Sequence, residues 1–469
     1  MRFRVLSSIA LMIGFYALAL GIAFGLLFAV YAEVMWAEQL SIRLTIFAVI
    51  TAGVILWSIL PRFDRFAAPG PRLLPESQPE LLALVRGVAE ATAEAMPAEV
   101  YLVPDVNAFV MHRGGISGIG SRRVMGIGLP LLQTLTVSQL RAVLAHEFGH
   151  YAGGDLKLGG WIYKTRAAMG RTVTNLARTG GWVHRPFLAY GNFFMRVTQK
   201  IARAQELAAD RMAVRVAGAS SHAAALKIVH GAAPAFSAYW QTEVVPVLSN
   251  GYRPPIGPGF AQFLRTERVA TTIDAELAKE IAEGKGDPYD SHPPLKERLA
   301  AIADMPDISP LRDDPPAVSL IRDLLGLEHE LLVALGADPQ KMTTIDWRDT
   351  PAQVFLPHWR ARAAEVAGAI GTATAADVPA LVISKAMSTA LGVANLGVIE
   401  RDREVRSAIG SVVAAKLVDD GWSCTTSPGE QIVFTKDGRT FQPFLEAMRN
   451  ADAWQAAVQA AGIESLPLG

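Results

Sequence analysis

The stretch AVLAHEFGHYAGGD (Ala142–Asp155) contains two histidines four residues apart, with a glutamate directly after the first. Residues four apart project from one face of an α-helix, so His146 and His150 can direct imidazole nitrogens to one metal ion. Glu147 lies beside this pair, off the ligand line, where a carboxylate can polarise a metal-bound water. The stretch therefore predicts a catalytic metal site on a helix.

The residues around this stretch predict strands followed by a helix. Thr136 and Gln139 form a capping-box pattern that opens a helix running through the two histidines and stopping at Gly153 and Gly154. Alternating or continuous apolar runs before it predict short strands, which are Glu99–Val103, Asn107–His112 and Arg123–Leu132.

A catalytic zinc site requires a third protein ligand and an open position. One known variant of the motif places a histidine six residues after His150, but that position holds Leu156. In RAQELAADRMAVR, Glu206 and Asp210 are again four apart, on a helix predicted from about Thr198 to Ala217. Two solvated carboxylates are the competing interpretation. The incomplete upstream motif favours Glu206 as the third ligand, with Asp210 supporting a ligating histidine.

The N-terminus contains two long uncharged runs, Val5–Ala32 and Leu44–Leu60. The first exceeds the roughly 20 residues that span a bilayer, and it is too long for the apolar region of a cleaved signal peptide. The second is at the short end of that range, so a buried core helix is the competing interpretation. The basic residues outside the pair predict a hairpin with both ends in the cytoplasm; they are Arg2, Arg4, Arg62, Arg65 and Arg72.

Composition excludes several classes of protein. The 469 residues include 44 Lys and Arg and 44 Asp and Glu, so no basic excess indicates nucleic-acid binding. Cys424 is the only cysteine, which excludes a disulfide within the chain and a cysteine-based metal cluster.

The remaining segments carry weaker signals. Residues 155–199 are rich in aromatics but contain no uncharged window of 18 residues, so we expect no third span. Ordinary core and a segment resting on the membrane interface both remain open there. A helical region is predicted from Pro306 to about Asp419, then strand, turn and strand, and a final helix over Phe444–Ala461. Six histidines without partners at metal spacing are assigned to structure or surface: His112, His184, His222, His230, His329 and His358.

Four ordered motifs resemble those of metallopeptidase family 48, the gluzincins that include the HtpX heat-shock proteases and the CAAX prenyl proteases. They are NAFVMH, HEFGHYAGGD, ELAAD and SHPPLKERL (Ser291–Leu299), and the resemblance covers about Glu80 to Ala303. Such relatives carry further membrane spans between the two metal-binding motifs or beyond, which this sequence does not show. The N-terminal hairpin and the tail lie outside the resemblance.

The resemblance implies one zinc ion per chain, bound by His146, His150 and Glu206, with Glu147 as general base. Asp210 is implied as a supporting acid, which in some members is described as a proton donor.

Further roles are implied for residues outside the ligand set. His292 would face the oxyanion, while Arg298 would brace an acidic residue such as Asp210. Asp155 would support the site. The edge strand Asn107-Ala108-Phe109 would receive an extended polypeptide substrate as an added strand.

The expected fold is α+β: a mostly helical, zincin-like (gluzincin) catalytic domain with a small sheet. We expect transmembrane helices at about 5–32 and 42–60 within residues 1–61, a linker over 62–79 and the catalytic domain over 80–305. A helical region over 306–399 and a small α+β module over 400–469 would follow.

The predicted function is a zinc-dependent endopeptidase acting on membrane or misfolded proteins. It would be a multi-pass protein of the inner membrane, with the lipid bilayer and a polypeptide as partners and the catalytic domain facing the cytoplasm. The alternative is a membrane scaffold or peptide sensor whose zincin domain turns over slowly or is latent. Oligomeric state and natural substrate stay open.

Overall fold

A computed structural model describes residues 2–36, 41–60, 66–113, 122–152, 156–178, 182–284, 292–308 and 313–469. The described chain is mostly helical with small sheets. It divides into two compact units. Unit 1 comprises Met1–His230 and Glu276–Arg322, and unit 2 comprises Gly231–Ala275 and Asp323–Gly469.

Unit 1 begins with two apolar helices, α1 (Arg2–Trp36) and α2 (Ile42–Ile59). Ser41 caps α2 by accepting a hydrogen bond from the Leu44 N–H. Ile9–Trp36 and the whole of α2 are long and apolar enough to cross a membrane, and within the described ranges they are the two helices that satisfy both conditions. The prediction of two apolar N-terminal helices is confirmed.

Two further helices, α6 (Leu156–Arg178) and α7 (His184–Ala217), pack against this pair. Their shared core is built from side chains of all four helices, including Phe15, Ile55, Met169 and Phe187. The part of the aromatic-rich region from Ala168 to Phe194 therefore contributes core residues that pack on the N-terminal helices.

The predicted start of α7 near Thr198 is wrong, because the helix begins at His184. Charged residues interrupt this segment, so no long uncharged run indicates the start of the helix. The apolar residues nevertheless share one face of the helix, on which Phe187 and Phe194 are both buried. The predicted end at Ala217 is confirmed. Gly218 follows with φ +89°, a conformation that stops a helix and favours glycine.

The sheet of unit 1 has the order β1-β2-β4-β3. Its strands are β1 (Arg72–Leu73), β2 (Glu99–Val103), β3 (Ala108–Arg113) and β4 (Arg122–Gly128), with α3 (Pro79–Ala91) between β1 and β2. Strand β2 runs parallel to β4, whereas β3 is antiparallel to β4 and forms an edge.

The strand predicted over Arg123–Leu132 is too long. Strand β4 ends at Gly128, and Leu129–Thr134 form helix α4. Pro130 lies in the first turn of α4, where its missing N–H costs no hydrogen bond, whereas it would remove a donor from a sheet ladder.

Helix α5 (Val137–Ala152) carries the two histidines. The predicted capping box is confirmed, since the Thr136 N–H donates to Gln139 Oε1 at 3.0 Å and the Gln139 N–H donates to Thr136 Oγ1 at 3.3 Å. Helices α5 and α7 pack closely at Gly149. A Cβ added there would lie 2.8 Å from Ala209 Cα, which is nearer than real Cβ atoms approach.

The rest of unit 1 completes the core beside α7. The first part of α8 (Ala219–Tyr239) follows α7 directly, and the last part of α11 (Glu267–Glu283) precedes α12 (Leu295–Ile302). Val214, Leu226, Leu295 and Ile302 are buried together, so α12 packs on the end of α7.

Unit 2 contains helices of 4 to 22 residues and two small sheets. The helices are α9 (Val245–Ser249), α10 (Ile256–Arg265), α13 (Leu324–Ala334), α14 (Leu356–Ile370), α15 (Val378–Val382), α16 (Lys385–Ala390), α17 (Val398–Asp419), α18 (Pro443–Glu446) and α19 (Ala451–Ala461). Strands β5 (Tyr252–Arg253) and β6 (Thr343–Thr344) pair, as do β7 (Ser423–Thr425), β8 (Val433–Lys436) and β9 (Arg439–Phe441). The single helix predicted over Phe444–Ala461 is two helices, because Asn450 starts α19 as its N-cap.

Gly149→Ala should destabilise the protein by about 1–3 kcal/mol, because the added methyl forces α5 and α7 apart. Thermal unfolding of the purified full chain measures this change. Gly87→Ala, at a position of α3 where an added Cβ meets open space, is the control and should be neutral or slightly stabilising. Equal stability of the two variants would contradict the close contact.

Candidate metal centre

Helices α5 and α7 bring the three predicted ligands together. Glu206 Oε2 lies 3.5 Å from His146 Nε2, and Glu206 Oε1 lies 3.6 Å from His150 Nε2. The two imidazole rings have centroids 4.8 Å apart. Glu206 and His146 are buried, while the His150 side chain is 29% exposed. One side of the cluster thus stays open to solvent.

The cluster fits a zinc ion by the spacing and the chemistry of its donors. Two ligand atoms that share a tetrahedral zinc lie roughly 3.4 Å apart, close to both observed nitrogen–oxygen distances. Glu206 Oε2 is buried, and the ring nitrogens His292 Nδ1 and His146 Nε2 lie 3.1 Å and 3.5 Å from it. A buried carboxylate is costly without a cation or donors beside it, and a metal ion held between Glu206 and the two helix histidines would meet this need.

Two carboxylates compete for the third ligand position, since ligand atoms of His146, Glu147 and His150 also lie within 4.8 Å of one another. Desolvation raises the pKa of Glu147 to about 7. In Glu206 the desolvation is outweighed by hydrogen bonds from His146 and His292, and the pKa falls well below its usual range. Glu206 is therefore a carboxylate at all ordinary pH values, which suits a ligand, while Glu147 can exchange a proton near neutrality.

Asp210 sets the orientation of the His146 ring. The distance from His146 Nδ1 to Asp210 Oδ1 is 3.0 Å, so Nδ1 carries the proton and Nε2 is directed at Glu206. Desolvation lowers the pKa of His146, but its hydrogen bonds to Asp210 and Glu206 prevail and raise it to about 9. The pKa of His150 falls to about 4, mainly because of desolvation.

Asp210 is fully buried and surrounded by donors. Arg298 donates from Nη2 to Oδ1 at 2.6 Å and from Nε to Oδ2 at 3.0 Å. Despite desolvation, the hydrogen bonds from His146, His222 and Arg298 hold the pKa of Asp210 far below its usual range. Asp210 is therefore held ionised as a hydrogen-bond acceptor, and the proton-donor role implied by the resemblance stays a prediction.

His222 is the residue that the sequence analysis missed. It is 1% exposed, its Nε2 lies 2.9 Å from Asp210 Oδ1, and its ring stacks on His146 with centroids 5.9 Å apart. No metal spacing in the sequence indicated it, because its contact with Asp210 depends on the turn at Gly218 between α7 and α8. Three other histidines lie outside the cluster, where His230 pairs with Glu280, His329 with Arg253 and His358 with Asn250.

The remaining predicted residues have distinct positions. His292 Nδ1 lies 3.1 Å from Glu206 Oε2, and the His292 side chain is 56% exposed, so it borders the open side of the cluster. Arg298, on α12, contacts Asp210 as described above. Asp155 lies outside the described residues.

The predicted substrate strand lies at the sheet edge. Ala108 and Phe109 belong to edge strand β3, which is next to α5, and Asn107 precedes it with an exposed side chain. The Asn107 carbonyl accepts the Gly128 N–H at 2.8 Å, which fixes the start of the strand against β4. Among the described strands β3 is an edge, and an edge strand beside α5 is suited to pairing with an extended peptide.

The segment that carries the cluster matches a known protein family. Residues 75–305 match the sequence model of Peptidase family M48. This segment belongs to peptidase family M48. It includes α3, α5, α7 and α12, and so contains every residue of the cluster. The chain matches no solved structure significantly.

Curated relatives carry protease names. The chain is 26% identical over 250 residues to protease HtpX of Stenotrophomonas maltophilia, covering 49% of this chain and 74% of that protein. It is 25% identical over 276 residues to protease HtpX of Xanthomonas axonopodis pv. citri, covering 53% and 82%. Protease HtpX homolog 1 of Saccharolobus solfataricus is 37% identical over 99 residues, only 30% of that relative's length. The family and these names together support a protease.

Zinc binding should release a proton from His146 at pH 8, because the metal-free ring has a pKa of about 9. Raising the pH removes this competing proton. We therefore expect apparent zinc affinity to rise about tenfold from pH 7.5 to 8.5, measured by competition with a chromophoric chelator whose own pH dependence is known. An affinity that stays level over this interval would show that His146 is already deprotonated.

His222→Ala should weaken zinc binding by about 10- to 100-fold, since Asp210 loses one of the donors that orient it towards His146. His222→Gln, which keeps an N–H at a similar reach, should restore part of the affinity. His230→Ala, in the same helix but paired with Glu280 outside the cluster, is the matched control. The positioning role of His222 is refuted if the two alanine variants bind zinc equally well.

Proposed function

We propose that this chain is a membrane-anchored zinc endopeptidase with a zincin-like catalytic domain. The observation that carries the proposal is the convergence of His146, His150 and Glu206 from two helices, with Glu147 beside them. The match to peptidase family M48 supports the same reaction class.

His146, His150 and Glu206 would hold one zinc ion. When bound, zinc polarises the substrate carbonyl and acidifies a water molecule. The Glu147 carboxylate accepts a proton from the attacking water. Because its pKa is about 7 in the metal-free site, Glu147 is also suited to return that proton to the leaving amine.

Residues around the ligands would orient the reaction. Asp210, held by Arg298 and His222, keeps the His146 tautomer that leaves Nε2 free. His292 borders the open side, where an imidazole N–H can stabilise the oxyanion. An extended substrate would pair with the free edge of β3, so that its backbone runs beside α5.

The apolar helices α1 and α2 would anchor the chain in the inner membrane. Their length and composition support two spans, and the basic residues outside the pair support a catalytic domain on the cytoplasmic side. A protease held at this surface would act on membrane or misfolded proteins.

Glu147→Gln should keep zinc but lose at least 10²-fold in hydrolysis of casein, because the amide cannot accept the proton. Hydrolysis is followed with and without a chelator, and zinc content by elemental analysis. Comparable turnover in Glu147→Gln would refute the general-base assignment.

Glu206→Gln is the paired variant and should lose both zinc and activity. This pair separates a missing base from a missing metal. Zinc-loaded wild-type protein that cleaves neither casein nor itself would favour the peptide-sensor hypothesis over the enzyme.

A further inference from the structure

Residues 156–205, which connect the two metal-binding motifs, have an unusual charge. They contain nine Lys and Arg residues and no Asp or Glu, in a chain whose 44 basic and 44 acidic residues balance overall. This segment forms α6 and the N-terminal part of α7, the two helices that pack on α1 and α2. Positive charge is therefore concentrated beside the helices that are apolar enough to cross a membrane.

Polar contacts hold α6 against α2. Arg171 Nε donates to the Ser58 carbonyl at 3.2 Å, and Asn175 Nδ2 donates to Ser58 Oγ at 3.0 Å. Ala52 and Ile55 of α2 are buried with Met169 and Leu176 of α6 in the same core. The two helices thus form a fixed pair over this length.

A groove of about 500 Å³ runs between these helices. Its lining contains four residues of α2 and two of α6, which are Ile50, Gly53, Val54, Trp57, Asn175 and Arg178. None of the six is acidic. The groove therefore has an apolar side and a polar, basic side.

The groove is open where α2 is most accessible. The side chains of Ile50 and Trp57 are 55% and 65% exposed, and a Cβ built on Gly53 meets no atom within 4 Å. Arg178 is exposed at the end of α6. An apolar floor with a guanidinium at its rim matches a molecule that has a hydrocarbon chain and an anionic head.

We propose that the groove between α2 and α6 binds a phospholipid with an anionic headgroup. The phosphate lies at Arg178 and Asn175, and an acyl chain lies along Ile50, Gly53 and Trp57. This inference rests on the membrane anchoring proposed above but not on zinc or on proteolysis. A bilayer lipid is the favoured occupant because the floor belongs to a candidate span and the whole α6–α7 segment is basic.

The test uses the full chain in a non-ionic detergent, titrated with dioleoyl phosphatidylglycerol or dioleoyl phosphatidylcholine and followed by native mass spectrometry. Wild-type protein should retain phosphatidylglycerol in preference to phosphatidylcholine. Arg178→Gln should weaken phosphatidylglycerol binding about fivefold, the effect of one cation near an anionic head. Arg185→Gln removes the same charge from the neighbouring helix α7, outside the groove lining, and should bind as wild type.

A second variant tests the apolar floor. Gly53→Leu has room for its side chain within the fold but fills the groove, so it should reduce phosphatidylglycerol binding without lowering the unfolding temperature. Glycerol phosphate, which has the headgroup chemistry without acyl chains, should not compete.

Three results would overturn the proposal: equal retention of the two lipids, equal losses in Arg178→Gln and Arg185→Gln, or competition by glycerol phosphate. The lipid measurement requires no turnover. A failure here therefore leaves the protease proposal intact, and an inactive protein that still binds lipid leaves this one intact.

Discussion

The close approach of α5 and α7 at Gly149 is the constraint on which the candidate metal cluster depends. The three candidate ligands come from two helices, so their spacing is set by the distance between the helix axes. Gly149 lies between the two histidines, and Ala209 lies three residues after Glu206. Because neither position carries more than a methyl group, the backbones approach closely enough for both Glu206 oxygens to reach the imidazoles. Larger residues at Gly149 or Ala209 would still form a helix, but they would push α5 and α7 apart and separate the candidate ligands.

Asp210 is the electrostatic centre of the same region. A fully buried carboxylate is costly unless it is paired and hydrogen-bonded on both oxygens. Arg298 supplies the charge, while His146 and His222 supply further donors. These partners contact both oxygens of Asp210 and hold the carboxylate ionised. Glu147, in contrast, has a pKa that desolvation raises to about 7. Asp210 is thus suited to orient His146, whereas Glu147 is suited to exchange a proton near neutral pH.

Local sequence patterns predicted the parts of the site that depend on helix periodicity. The spacing of His146 and His150, the capping box at Thr136 and the glycine stop at Gly218 each act within one or two turns, and the structure has a helix or a helix end at each place. The resemblance added the order of the motifs and pointed to Arg298, which the fold brings to Asp210 from 88 residues away. Other features depend on contacts between elements, which local sequence patterns do not predict. His222 reaches Asp210 only because the chain turns at Gly218 between α7 and α8. The end of β4 at Gly128 depends on Pro130, whose effect the long apolar run concealed.

Helix α7 has a mechanical consequence. It is continuous over 34 residues, or about 51 Å, and it carries both the Phe187 ring that contacts Phe15 of α1 and, roughly 30 Å further along, Glu206 and Asp210. No break or glycine pair interrupts it between these regions. A tilt or axial rotation imposed where it touches α1 would therefore be transmitted along a stiff helix to one candidate ligand, while the other two stay on α5. If α1 spans a bilayer as proposed, strain in the lipid would reach the candidate metal site as a change in the spacing of its ligands.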